Sequence, residues 1–336
     1  MYYFARSGSV TRVLSGQTRR VTDPARARIT LKTFGKHHWS RQHGGLHHKE
    51  DNLGASIPDS LAYPLLKALS HSKNLKTSNQ IAKEAGQDVY AACEASSFLE
   101  YIGKYLDYKG KSVIDVGCGM GDLCIMLAKT GAQRVVGVDL SWDRIASARR
   151  KAVAENVQDR VTFECMNFVK EYQTLDTFDI AFSQSAFEHI LSPLDCLKKI
   201  YACLSEGGVL GTIFGPLWSS PYGAHMYGFT SVPWVHFLFP ERVVLRVRTE
   251  RFRPDDPVER YEDVEGHLNR ITVQKFMQYA TQAGFEVQAF RLNPSQDRGI
   301  YKIPNALVNA IPFLRELGSL QLLAVLKKPS LRRLVG

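Results

Sequence analysis

The sequence predicts a doubly wound α/β domain. Strand-like and helix-like segments alternate regularly after residue 110, the first strand runs into a glycine turn, and the second ends in an acid. Strand-like segments cover Ser112–Val116, Arg134–Asp139, Val161–Cys165, Phe178–Ser183 and Val209–Phe214. Helix-like ones cover Leu123–Thr130, Ile145–Ala154 and Leu194–Leu204. Alternation at this spacing means parallel strands joined by right-handed crossovers, with ligands bound beyond the carboxyl ends of the strands at the switch point.

Before the sheet, Ala82, Ala85, Val89, Ala92, Ala95, Phe98, Leu99 and Ile102 recur every three or four residues. This predicts a helical cap over 78–110, ended by Gly110. The regular alternation stops at Gly215. Residues 216–268 are aromatic, proline-bearing and irregular, as expected of a substrate lid inserted late in the fold. A helix (Val273–Ala283), a strand (Phe285–Leu292) and an apolar stretch (Leu320–Leu326) then close a domain spanning 111–328, followed by a tail over 329–336.

Residues 1–77 read as a basic, partly disordered extension. The net charge is +10, yet residues 1–50 hold ten Lys and Arg against Asp23 and Glu50, which leaves only +2 for the other residues. A nearly neutral body argues against a broad nucleic-acid surface. Arg6, Arg12, Arg19 and Arg20, with no acid before Asp23, suit a mitochondrial transit peptide and equally a solvated extension. The expected compartment is cytoplasmic, or the mitochondrial matrix if the extension is a transit peptide. His37, His38, His43, His47 and His48 lack a cysteine or carboxylate to complete a metal set, so no metal is expected. Six cysteines without a CxxC pair fit a reducing compartment. No apolar run reaches membrane-spanning length.

The chemistry concentrates in Ser112-Val-Ile-Asp-Val-Gly-Cys-Gly-Met-Gly-Asp122. Gly117, Gly119 and Gly121 allow a sharp turn and a close backbone approach to a ligand. Their GxGxG spacing differs from the GxGxxG of dinucleotide sites. Asp115 would repel a pyrophosphate but suits an ammonium group. Asp139, ending the second strand, is placed to accept both hydroxyls of a ribose, and Leu140 to lie against an adenine.

These segments, with Phe178–Ile190 (FDIAFSQSAFEHI) and Leu204–Phe214 (LSEGGVLGTIF), resemble the class I S-adenosylmethionine-dependent methyltransferases, over roughly residues 96–328. The likeness is to small-molecule enzymes of the ubiquinone and menaquinone group. The GPLWSSPYGAHMYGF stretch also resembles methyltransferases found beside polysaccharide genes. The resemblance implies a Rossmann-like seven-stranded sheet, mostly parallel with an antiparallel last strand, and S-adenosylmethionine as cofactor. It implies that the glycine loop and Asp115 hold the methionine end, Asp139 and Leu140 the nucleoside, and Asn167, where the family often has an acid, the adenine amino group. Phe168 and Ser183 are expected to line the same cofactor site.

A hydroxyl acceptor needs a base, most often His. Candidates are His225, in the segment after the fifth strand, and His189, after the fourth. Trp218, Tyr222, Tyr227 and His236 are expected to contact a small hydroxylated acceptor. The motif that holds planar amines in many N-methyltransferases is absent, with Ser183-Gln184-Ser185-Ala186 in its place. Val232–Phe239 with Arg242, Arg246, Arg248, Arg251 and Arg253, and the apolar stretch Ile303–Leu326, suggest peripheral membrane contact, or else a lid packed over the pocket. An RNA methyltransferase using the basic arm, a non-catalytic assembly factor and a nicotinamide oxidoreductase are the competing functions.

Overall fold

The computed structural model describes residues 57–70, 87–173, 176–226, 228–254, 256–264, 266–293 and 312–330. The basic arm, the histidine cluster, Tyr227, Asp255 and most of the apolar stretch before Pro312 lie outside them.

The elements follow in the order α1 (Asp59–Leu69), α2 (Gln87–Ile102), β1 (Ser112–Val116), α3 (Asp122–Lys129), β2 (Arg134–Asp139), α4 (Trp142–Ala154), β3 (Val161–Cys165), α5 (Phe168–Glu171), β4 (Phe178–Gln184), α6 (Pro193–Cys203) and β5 (Leu204–Phe214). After β5 come α7 (Val235–Leu238), α8 (Glu241–Arg251), a 3-10 turn (Tyr261–Asp263), α9 (Val273–Gln282), β6 (Glu286–Leu292), α10 (Pro312–Gly318) and β7 (Leu322–Lys327). The strands form one sheet in the order β3-β2-β1-β4-β5-β7-β6. β1 to β5 are parallel, and β7 runs antiparallel between β5 and β6. The strand order reverses between β1 and β4, which is where such sheets open a crevice for ligands.

Both faces of the central strands are covered, so these strands are apolar runs rather than alternating ones. Ile114, Val136, Phe214 and Phe276 belong to the core on one face, and Val113, Val135, Phe98 and Phe182 to the core on the other. Local chemistry starts the helices: Ser141 Oγ accepts from Arg144 N and Thr272 Oγ1 from Lys275 N, each capping the helix that follows.

A third core belongs to the insertion. Trp218, Phe229, Val235, Phe239, Val243, Val244 and Tyr261 pack together with Ala62 and Leu66 of α1. The expected irregular lid thus contains two helices of its own. α1 falls in the stretch read as a basic extension, and the sequence reading passed over it: Pro64 lies inside it and no side chain caps it. What holds α1 is that packing of Ala62 and Leu66, with polar contacts along its exposed rim. Asp59 accepts both guanidinium bonds of Arg242 at 2.6 Å, Glu250 accepts from Tyr63, and the carbonyl of Lys67 accepts from Arg251 at 2.9 Å. Arg246 pairs with Glu250 and Arg248 with Asp256. No described helix is long and apolar enough to cross a membrane.

Candidate functional site

The glycine loop leaves β1 toward the crevice with Gly117, Gly119 and Gly121 at φ of 82°, 54° and 78°. A Cβ on Gly117 would lie 2.6 Å from the Cβ of Ala186, so the loop is seated directly on the turn that follows β4. At Gly119 the same test finds open space, which leaves the backbone free for a ligand. Asp139 fixes this loop: its Oδ2 accepts from Gly119 N at 3.0 Å, and its Oδ1 accepts from Ser141 N at 2.9 Å.

Asp115 is 2% exposed, and its Oδ2 accepts from the Cys124 thiol at 3.3 Å. Its Oδ1 has no hydrogen-bond partner. Burial raises its pKa to about 7; the Cys124 bond works against that, and the charge of Asp139 adds to it. A buried carboxyl with an unused oxygen is costly in the free protein and is what a cationic ligand group would satisfy.

The other expected cofactor residues divide. Leu140 is 66% exposed, at the end of β2. Asn167 is placed after β3, but its Oδ1 caps α5 by accepting from Lys170 N at 3.2 Å. Phe168 is buried against Tyr172. Ser183 is fully buried, and its hydroxyl donates to Val116 O at 2.9 Å, joining β4 to β1. Phe168 and Ser183 thus shape the strand ends from within the core.

The turn after β4 carries Glu188 and His189. His189 Nδ1 lies 2.8 Å from the carbonyl of His267, and its ring meets that of His225 edge to face with centroids 5.2 Å apart. His225 sits at φ 55°, with Nε2 at 3.3 Å from the carbonyl of Pro216. Burial, reinforced by His189, lowers its pKa to about 4, so it is neutral at physiological pH. Glu188 is 3% exposed; its Oε1 accepts from Gly215 N at 3.1 Å, and its Oε2 has no partner. Burial raises its pKa, and His189 partly offsets this.

Asn269 ties these loops together. Its amide donates to the carbonyls of Phe187 and Ile190, its Oδ1 accepts from Ile271 N, and its own N–H donates to Glu188 O. A narrow cleft results, lined by Glu188, Pro216, Trp218, Gly223, His225, Leu268, Asn269, Arg270 and Ile271. Arg270 brings no free charge to it, because Glu241 and Glu262 both pair with the guanidinium. The structure therefore brings His189, His225 and Trp218 together. Tyr222 is half-buried in the turn leading to His225, whose N–H donates to its carbonyl. His236 is fully buried in the insertion's own core, with Nε2 2.7 Å from Trp218 O. Sequence reasoning missed Asn269, Arg270 and His267, each of which has at least one partner about 30 to 80 residues away. Glu188 stands in the FDIAFSQSAFEHI stretch without a role of its own.

Among known proteins, residues 113–208 match the family model described as a methyltransferase domain. That match covers the glycine loop, Asp115, Asp139 and the His189 turn. Residues 113–208 thus form a methyltransferase domain of the S-adenosylmethionine-dependent class. Its cofactor is S-adenosylmethionine, and the residues present fit that group: Asp115 offers an unused buried oxygen and Gly119 an open backbone. The chain is 33% identical over 143 residues to the ubiquinone biosynthesis O-methyltransferase of Coxiella burnetii, covering 43% of this chain and 58% of that protein. It is 35% identical over 114 residues to the Neisseria meningitidis protein of the same name, covering 33% and 47%. A tRNA U34 carboxymethyltransferase of Pseudomonas putida is 34% identical over 110 residues, 32% of this chain and 34% of that one. The chain thus spans about half the length of the ubiquinone-pathway relatives it matches. A solved S-adenosylmethionine-dependent methyltransferase from Listeria monocytogenes shares 20% identity at a TM-score of 0.48, over 70% of this chain and all of that one.

Proposed function

We propose that this protein methylates a hydroxyl of a small acceptor, with His189 as the base and His225 beside it. The observation that carries the reading is the hydrogen bond from His189 to the His267 carbonyl. A carbonyl only accepts, so Nδ1 carries the proton of the neutral ring and Nε2 keeps its lone pair. The turn holding His189 is also the one seated on the glycine loop through Ala186. His189 is three residues along the turn from Ala186, which abuts that loop.

Bound S-adenosylmethionine supplies a methyl group on a positively charged sulfur, whose charge disappears on transfer. The protein's part is therefore largely orientation, with removal of one proton from the attacking oxygen. His189 Nε2 takes that proton, and the neighbouring Glu188 carboxyl stabilises the imidazolium that results. His225, neutral above about pH 4, places no competing positive charge beside it. The names of the ubiquinone-pathway relatives support an oxygen acceptor.

The test is methyl transfer by purified protein onto phenols and methyl glycosides, read by mass spectrometry, beside a His189→Ala variant. Turnover should fall about 100-fold or more in the variant while cofactor affinity stays put. Undiminished turnover in the variant would remove His189 as the base. Absence of transfer to any hydroxyl, with transfer to an amine, would overturn the oxygen acceptor.

A further inference from the structure

Resting on the hydroxyl-methylation reading, we propose that Glu188 and Trp218 form a recognition site for a second, non-reacting hydroxyl of an uncharged acceptor. Three buried polar atoms among the residues lining the cleft have no hydrogen-bond partner; Arg270 Nε is ion-paired with Glu262 at 2.8 Å, which leaves Glu188 Oε2 and Trp218 Nε1. Both residues are more than nine-tenths buried, at 3% and 5% exposure. Native proteins rarely leave such atoms unpaired, and at a cleft wall a ligand group is one partner that can complete them. Ser220 Oγ and Tyr261 Oη are unpaired too, but neither residue lines the cleft.

The two atoms ask for complementary things. Trp218 Nε1–H can only donate, and Glu188 Oε2 is held by no donor. A hydroxyl meets both needs, accepting from the indole and donating to the carboxyl. With Glu188 ionised, a carboxylate or phosphate meets only the first and sets its charge against Glu188. An ammonium meets only the second.

The surroundings reinforce this selection. Arg270, the cleft's one cationic side chain among the described residues, is already paired with Glu241 and Glu262. His225 is neutral, so nothing in the cleft wall attracts an anion. Glu188 is held in place by its other oxygen on Gly215 N and by its carbonyl on Asn269 N. It therefore cannot swing away to accommodate an acidic ligand. On this proposal Glu188 is a specificity residue rather than part of the proton transfer alone. A site built to pair a hydroxyl discriminates strongly against an analogue lacking it, because both protein groups are left unpaired.

The experiment follows the Trp218 indole N–H in a nitrogen-correlated NMR spectrum of the full chain with S-adenosylhomocysteine. The resonance is assigned by its loss in Trp218→Phe. The probes are resorcinol and methyl glucoside, each uncharged with more than one hydroxyl, then phenol and benzoate. Saturable shifts of the Trp218 signal are expected with resorcinol or methyl glucoside, with phenol binding at least about fivefold weaker than resorcinol and benzoate not at all. Glu188→Gln keeps the oxygen that holds Gly215 and replaces the free one by a donor. It should weaken resorcinol binding by about tenfold or more. The proposal is overturned if no uncharged probe moves the Trp218 signal, if benzoate binds as well as resorcinol, or if Glu188→Gln binds resorcinol like the parent. Should that variant not fold, the order resorcinol over phenol over benzoate in the parent protein decides alone. Failure to bind S-adenosylhomocysteine would count against the methyltransferase reading separately, since the probe titration is also read without it.

Discussion

The two halves of the crevice are built in different ways. On the β1–β3 side, the glycine loop, Asp115 and Asp139 lie within 25 residues of one another, and their geometry follows from strand ends and one tight turn. On the β4–β5 side, the cleft is assembled from the His189 turn, the segment after β5 and residues 266–271, held by side chains reaching about 80 residues along the chain. The first half is a local device that many sequences with this motif would form. The second exists only when the insertion is folded, and so it is where specificity can be changed without touching the cofactor.

Variants that act on one half and spare the other are the sharpest probes of this division. The largest effect is expected where the halves touch, at Gly117. An alanine there must hold a positive φ and place its Cβ 2.6 Å from that of Ala186. Gly117→Ala should cost about 2–4 kcal/mol of stability and weaken both cofactor binding and turnover, measured by chemical denaturation and calorimetry. An unaltered cofactor affinity would break the link between loop and turn.

Next comes Asn269→Ala, which leaves the carbonyls of Phe187 and Ile190 and the N–H of Ile271 without their partner. A loss of about 2–3 kcal/mol is expected, with turnover strongly reduced and cofactor affinity retained. A variant that lost cofactor binding instead would show that the halves are not separable.

A smaller effect concerns pH. The Asp115 carboxyl, ordinarily near 3.8, is held at about 7, so the free protein binds a proton there that the unfolded chain has already released. Its contribution to stability is complete below pH 3.8 and is lost as pH rises toward 7, by at most about 1.4 kcal/mol per pH unit. His225, lowered from 6.5 to about 4, acts in the opposite direction, favouring the fold as pH rises from 4 to 6.5. Comparing thermal stability of Asp115→Asn with the parent isolates the first term. Cofactor binding should show the complement. Affinity falls below pH 7, where Asp115 must release a proton to pair with an ammonium, and Asp115→Asn removes that dependence. The smallest expected effect is that of Arg242→Ala. Its pairing with Asp59 is exposed, and the melting temperature should not change measurably.

Legibility in the sequence followed the same divide. β1, β2 and β3 begin and end at the residues the apolar runs and flanking turns predict, and the reversed last strand is present as β7. The glycine loop was readable because three glycines and an acid sit at fixed short spacing. The Asn269 clamp was not, since an asparagine in an irregular segment carries no periodicity and its partners are backbone carbonyls. Helix α1 was missed for a related reason: its Pro64 and mixed pattern speak against a helix, and only packing of Ala62 and Leu66 on the insertion's core overrides them. Asn167 shows a subtler limit. Its position after β3 was readable, but its side-chain oxygen caps α5, a use that only the backbone geometry reveals.

Both halves of the crevice serve one cofactor only if Asp139 and the loop it fixes bind S-adenosylmethionine. Calorimetric titration of the full chain with S-adenosylmethionine, beside Asp139→Ala and with NAD as control, tests it most directly. Saturable binding by the parent is expected, with at least about tenfold weaker binding by the variant and no binding of NAD. Equal affinity in parent and variant, or no binding to well-folded parent protein, would contradict it.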